Sequence, residues 1–215
     1  MKYRYITIEG NIGAGKTTLT NLLAKEYGGS MILEKFVDNP YLAKFYDEPE
    51  RYAFQLEMSF MLARYQQLNK ILGEPSIFEQ FVISDYMFTK SLLFAKINLS
   101  REEHQLFRHL FDLIYKKLPQ PDVIFYLHAN TSQLLSNIKK RGRPYEQSIM
   151  KPYLNKIEKM YFEYFKQMPN QKIVIVEVND VDWVTDVFVF EKMLDLFDRD
   201  YKLGMNFIDL KSVTT

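Results

Sequence analysis

Five short runs rich in Ile, Val, Phe and Tyr punctuate the chain, at Tyr5 to Glu9, Met31 to Glu34, Ile77 to Ser84, Val123 to His128 and Ile173 to Val178. Between them apolar residues recur at helical spacing, as at Leu19, Leu22 and Leu23. Apolar runs of strand length alternating with amphipathic stretches predict a parallel sheet covered by helices on both faces, the α/β class. Gly28-Gly29 ends the first predicted helix, and Pro40, Pro49, Pro75, Pro119, Pro121, Pro152 and Pro169 fall between apolar segments, where proline costs least. With no linker, repeat or low-complexity stretch, residues 1–215 read as one domain. The tail from Tyr201 to Thr215 has weak periodicity and is expected to fray, with a dimer contact as its alternative.

Composition narrows the function. The chain is 47% hydrophobic and 26% charged, which is globular. Its 28 Lys and Arg against 27 Asp and Glu give a formal charge of +1, so no general positive field attracts a nucleic acid or a membrane surface, and any anion must meet a local site. Fifteen Tyr and 17 Phe are expected in the core and around a small-molecule slot, not on a stacking platform for nucleic acid. The absence of cysteine excludes a disulfide scaffold, a thiol nucleophile and cysteine-ligated zinc, and the three histidines His104, His109 and His128 show no metal spacing. A strand-like run directly after Met1 leaves no room for a secretory signal, and the apolar stretches are far short of the ~20 residues of a membrane span, so a cytoplasmic protein is expected. The triplets at Asn98 and Asn130 match glycosylation acceptors but carry no meaning in a protein that is not secreted.

The most informative segment is Gly10-Asn11-Ile12-Gly13-Ala14-Gly15-Lys16-Thr17, which fits G-x-x-x-x-G-K-[ST] between a strand ending at Glu9 and a helix beginning beyond Gly15. Gly10 and Gly15 let successive N–H groups converge on phosphate oxygens, and the helix start adds the positive end of its dipole. Lys16 reaches the β and γ phosphates, and the Thr17 hydroxyl is suited to Mg2+. The ATP-binding set is thus Gly10, Asn11, Ile12, Gly13, Ala14, Gly15, Lys16, Thr17 and Thr18. Asn69-Lys70-Ile71-Leu72 lacks the aspartate of a GTPase base-reading motif. The chain is too short for a large ATPase, which leaves a small kinase with a diffusible acceptor.

From Ile8 to Thr18 the sequence resembles the opening of the deoxynucleoside kinases. Pro49-Glu50-Arg51-Tyr52-Ala53-Phe54, Arg64, Ser84-Asp85, Arg141-Gly142-Arg143 and Glu146-Gln147 follow in that family's order and spacing. The similarity runs from about Tyr5 to Val178. Between Leu33-Glu34 and Asp38-Asn39-Pro40 the wording is nearer to bacterial deoxyadenosine/deoxyguanosine kinases than to the animal enzymes. The resemblance implies a three-layer P-loop kinase fold with a five-stranded parallel sheet in the order 2-3-1-4-5. It places Glu34 as acceptor of the proton of the deoxyribose 5′-hydroxyl, Tyr46 and Glu146 at the 3′-hydroxyl, and Arg141 and Arg143 in a lid at about residues 139–150 that closes on ATP. It makes Glu79 a second Mg2+ residue beside Thr17. It also implies a homodimer, or a heterodimer with a related subunit, with candidate faces in Arg51 to Leu72 and Phe88 to Tyr115.

Two positions depart from the family. Gln80 stands where an arginine is usual, so another cation is required if that role is kept. Glu57 stands where the animal enzymes place a base-reading glutamine. Glu57, Met61, Arg64 and Leu68 share one helix face, which Asp85 is expected to approach from a strand end. An ionised carboxylate only accepts hydrogen bonds, matching the N1–H and N2–H2 donors of guanine, while Arg64 can donate to O6 and N7. Glu57, Arg64 and Asp85 therefore join the substrate-binding set, with deoxyguanosine expected ahead of deoxyadenosine; an Arg64 salt bridge to Glu57 or Asp85 that merely holds the helix is the structural alternative. Functional alternatives are a nucleoside monophosphate kinase of the thymidylate kinase kind and a P-loop nucleotide-binding regulator without transfer chemistry.

Overall fold

The computed structural model describes residues 2–34, 39–72 and 81–212. Six strands are described: β1 (Tyr5–Gly10), β2 (Ser30–Ile32), β3 (Val82–Ser84), β4 (Val123–His128), β5 (Lys172–Glu177) and β6 (Gly204–Asp209). They form one parallel sheet in the order β2-β3-β1-β4-β5-β6. The helices are α1 (Lys16–Tyr27), α2 (Leu42–Asp47), α3 (Pro49–Leu72), α4 (Lys90–Asn98), α5 (Arg101–Tyr115), α6 (Thr131–Arg141), α7 (Lys151–Phe165) and α8 (Val187–Asp198).

The α/β expectation is met, and the order of the first five strands is the one implied by the resemblance. The sixth strand corrects the reading of the tail. Gly204 to Asp209 pairs residue for residue with β5, and Leu210 just beyond it is fully buried. As an edge strand β6 shows no clean alternation of buried and exposed positions, and its Phe207 is exposed, so its periodicity was weak in the sequence.

β1 is buried at every position, as the central strand of a doubly covered sheet must be. On one side Ile6, Ile8, Phe125, Leu127, Val174 and Val176 pack with α1, α6 and α8 residues such as Leu19, Leu134 and Phe197. On the other, Ile124, Tyr126, Ile173 and Ile175 meet Tyr161 and Phe165 of α7. A third cluster ties β2 and β3 to α3 and α5 through Ile32, Val82, Met61, Leu68, Phe107 and Phe111. These layers place the carboxyl ends of β1, β2 and β3, where P-loop folds bind ligands, beneath α3, α4 and α7.

Candidate functional site

The loop between β1 and α1 is shaped for an anion. Gly15 caps α1 at φ +91°, and a Cβ there would lie 2.7 Å from Cζ2 of Trp183. A Cβ on Gly10 would lie 2.8 Å from the Leu127 carbonyl oxygen. No side chain caps α1, so its first N–H groups are left for a ligand. Lys16 Nζ donates to the carbonyls of Gly10 (3.0 Å) and Asn11 (2.9 Å), folding back over the loop. Burial, with Lys90 adding repulsion, lowers its pKa to about 8.

Two cavities meet at this loop, sharing Gly13, Gly15, Thr18 and Arg141. One, of about 650 Å³, is flanked by α6 and by Val181 to Thr185, including Trp183. The other, of about 310 Å³, runs from Lys16 and Thr17 beneath α3, α4 and α7. Both fall within the roughly 300–1,000 Å³ of small-molecule sites. The smaller cavity collects the predicted acceptor residues Tyr46, Glu57, Arg64 and Glu146, together with Arg141 and Arg143.

Glu34, just past β2, is buried and doubly paired. Arg64 donates to Oε1 through Nε at 2.8 Å and through Nη2, and Lys90 Nζ donates to Oε2 at 2.6 Å. Burial alone would raise this carboxyl, but Arg64 and Lys90 outweigh it and hold the pKa at about 2. Arg64 also donates to Ser91 Oγ (2.7 Å). Its ion-pair partner is therefore Glu34, not Glu57 or Asp85, which corrects the structural alternative weighed for it.

Asp85 is placed elsewhere than expected. It accepts from the Thr17 hydroxyl (2.5 Å) and from the Glu34 backbone N–H (2.7 Å), which locks it between the phosphate loop and β2 instead of bringing it to the face of Glu57. Thr17 and Asp85 together offer hard oxygen donors beside Lys16, a donor set that fits Mg2+. Glu79 and Gln80 lie outside the described residues, as do Asp38 and the first half of the run from Ile77 to Ser84.

Glu57 is buried, with Oε1 accepting from Asn98 Nδ2 at 2.7 Å and Oε2 without a hydrogen-bond partner among the described residues. Burial raises its carboxyl to about 7. Across the cavity, Glu146 sits in the turn Pro144–Glu146 and is gripped by Arg141, with Nε at 3.0 Å, and by Arg143 Nη1 at 3.3 Å. Tyr46 stacks on Tyr145, centroids 5.9 Å apart. The proposed lid and the proposed sugar-binding pair thus share one wall.

Sequence reasoning missed Lys90, Asn98 and Tyr153. Lys90 left one trace, a lone charge opening the apolar stretch Leu92-Leu93-Phe94-Ala95. It nonetheless lies only 5% exposed against Glu34.

Comparison with known proteins identifies the family. The profile of the deoxynucleoside kinase family matches residues 6–200. The deoxyguanosine kinase of Bacillus subtilis (strain 168) is 38% identical over 193 residues, covering 88% of this chain and 93% of that protein. The deoxyadenosine/deoxycytidine kinase of the same organism is 29% identical over 204 residues, covering 90% and 91%. Among solved structures, the deoxyadenosine kinase of M. mycoides with the products dCMP and dCDP bound superposes with a TM-score of 0.76 at 25% identity, covering 90% of this chain and 98% of that one. The family match runs from the second residue of β1 through α8 and takes in the whole cavity; the chain belongs to the deoxynucleoside kinase family and is an enzyme that phosphorylates deoxynucleosides.

Proposed function

We propose that the enzyme transfers the γ-phosphoryl group of ATP to the 5′-hydroxyl of a purine deoxynucleoside, deoxyguanosine ahead of deoxyadenosine, in nucleotide salvage. The observation that carries the base assignment is Glu57, a buried carboxylate on the acceptor cavity with one oxygen that has no hydrogen-bond partner among the described residues. Guanine presents two adjacent donors to such an acceptor, whereas adenine offers one donor group beside an acceptor. Deoxyguanosine kinase activity in the B. subtilis relative supports the same preference.

The cavity holds the nucleoside with its base toward Glu57 and its sugar toward Tyr46 and Glu146. Its 5′-hydroxyl lies between Glu34 and the loop. Glu34 is ionised throughout the working pH range. So acidic a carboxylate takes the proton late, once the hydroxyl oxygen begins to bond to phosphorus and acidifies. Lys16 and the N–H groups of Gly10 to Thr18 hold the phosphates, and Arg141 and Arg143 exchange Glu146 for the triphosphate as the lid closes. Thr17 and Glu79, with Asp85 hydrogen-bonded to Thr17, would hold Mg2+, which would supply positive charge to the phosphates. Excluding water limits hydrolysis of ATP. The enzyme works in the cytoplasm as a homodimer through the outer faces of α3 and α5, where Leu62, Leu106 and Leu113 are exposed.

The test is transfer from labelled ATP with Mg2+ to the four deoxynucleosides, dGMP and dTMP, by the wild type and by Glu34→Gln. Label in dGMP or dAMP from the nucleosides, falling roughly 100-fold or more in the variant, is the expected result. Transfer only to monophosphates would instead assign a monophosphate kinase.

A further inference from the structure

The wall of the acceptor cavity formed by α3, α4 and α7 contains a short polar relay. Tyr153 of α7 donates through its hydroxyl to Asn98 Oδ1 (3.5 Å), and Asn98 Nδ2 donates to Glu57 Oε1 (2.7 Å). The relay fixes the Asn98 amide, because a carboxylate can only receive its N–H side and the phenol supplies a proton to its oxygen. It also fixes Glu57. Oε1 becomes a dedicated acceptor, while Oε2, buried and lacking a hydrogen-bond partner among the described residues, is left to a ligand.

The charged and titratable groups that face Glu57 come from each surrounding element: Arg64 on α3, Lys90 on α4, Glu34 past β2 and Tyr153 on α7. Arg64 and Lys90 are both hydrogen-bonded to Glu34, and Glu57 Oε2 has no hydrogen-bond partner among the described residues. A buried carboxylate in this position is not held in one protonation state by a neighbouring ion pair.

We propose that Asn98 is a specificity-determining positioning residue: by holding Oε1 as an acceptor it makes Oε2 the variable atom of the base site, so that the proton on Glu57 selects between guanine and adenine. This deepens, and rests on, the reading of Glu57 as the base-contacting residue. In the ionised form both oxygens accept, and N1–H and N2–H2 of guanine donate to them. In the protonated form Oε2–H donates to N1 of adenine while Oε1 accepts from its N6–H2. Each form pairs fully with one purine and leaves an unsatisfied buried group with the other, and such mismatches reject ligands strongly. Burial raises the Glu57 carboxyl to about 7, with the Asn98 hydrogen bond pulling the other way, so both forms are available near neutrality.

The test compares kcat/KM for deoxyguanosine and deoxyadenosine from pH 5.5 to 8.5 in the wild type, Glu57→Gln and Asn98→Leu, with ATP binding as the check that each variant is folded. For the wild type the deoxyguanosine to deoxyadenosine ratio should rise about tenfold or more between pH 6 and 8. Glu57→Gln, whose amide always presents one donor and one acceptor, should give a flat ratio that favours adenine. Asn98→Leu removes a donor that stabilises the carboxylate, so the midpoint of the ratio should move to higher pH. Calorimetry in buffers of different ionisation enthalpy supplies a readout independent of turnover. At pH 7, deoxyguanosine binding should release about half a proton and deoxyadenosine binding should take up about half. A flat wild-type ratio together with an altered preference in Glu57→Gln would overturn the proton selection while leaving base reading by Glu57 intact. An unaltered preference in Glu57→Gln would overturn both. A midpoint unmoved in Asn98→Leu would remove Asn98 from the mechanism.

Discussion

Glu34 gains its charge from its neighbours, and Lys90 is the neighbour whose removal is most informative. Arg64 approaches Oε1 and Lys90 approaches Oε2, so loss of either leaves a buried carboxylate half compensated. Lys90 also faces Lys16 across the same cavity, close enough to depress its pKa. Lys90→Met is therefore expected to lower kcat by roughly 100-fold, with a smaller change in KM for the nucleoside, and Lys90→Arg to restore part of it; steady-state kinetics reads both. Glu57 yields a second residue-scale prediction, one about stability. Its carboxyl rises from 4.5 to about 7 on folding, so its contribution is intact below pH 4.5 and is lost as pH climbs through 7. Glu57→Gln should thus stabilise the ligand-free protein at pH 8, by on the order of 2 kcal/mol, and do little at pH 5. Thermal melts at the two pH values decide it, and an equal effect at both would mean that the carboxyl is not buried in its charged form.

At the scale of elements, His128 pins the ends of β4 and β5 to the middle of α7. Its Nδ1 meets Glu177 of β5, and its Nε2 lies 2.9 Å from Glu158 of α7. Burial alone would lower the imidazole pKa, but the two carboxylates outweigh it and raise it. A raised histidine contributes stability that is complete below the unfolded pKa of about 6.5 and is lost as pH rises through the folded value. His128→Gln should cost on the order of 1 kcal/mol at pH 6, and the gap to the wild type should close above neutrality in melts across that range. No sequence signal announced this junction, because its members lie on three separate elements and meet only when β4 and β5 are in register. The same reason explains what was legible elsewhere. The phosphate loop is contiguous, so Gly10 to Thr18 could be read directly, and the family resemblance singled out Glu57 and Arg64, which helical spacing then put on one face of α3. Asn98, by contrast, offered only a glycosylation-like triplet, and its contact with Glu57 depends on how α4 packs against α3. β6 was illegible for a different reason: an edge strand with partly exposed faces writes little alternation into its sequence.

For the whole molecule, α3 couples the site to the surface. Its inner face carries Glu57 and Arg64 into the cavity, while Leu62 on the same helix is 54% exposed. On α5, Leu106 and Leu113 are 53% and 70% exposed, seven residues and two turns apart on one face. α3 and α5 pack together through the cluster of Met61, Leu68, Phe107 and Phe111, so their outer apolar positions belong to one side of the molecule. With a net charge of only +1, little electrostatic repulsion opposes self-association there. If the proposed dimer forms through this face, the double variant Leu106→Asp, Leu113→Asp is expected to convert it into a monomer in light scattering at micromolar concentration, since two carboxylates at the centre of an apolar interface cannot be desolvated without a partner. A partner covering this face would also restrain α3, which carries the proposed base-reading side chains Glu57 and Arg64. The monomer should accordingly show a several-fold higher KM for the deoxynucleoside while its KM for ATP, set by the loop and α1 on the far side of β1, changes little. Equal rises in both constants would point to general loosening of the fold, and an unchanged molecular mass would overturn the proposed dimer contact on this face.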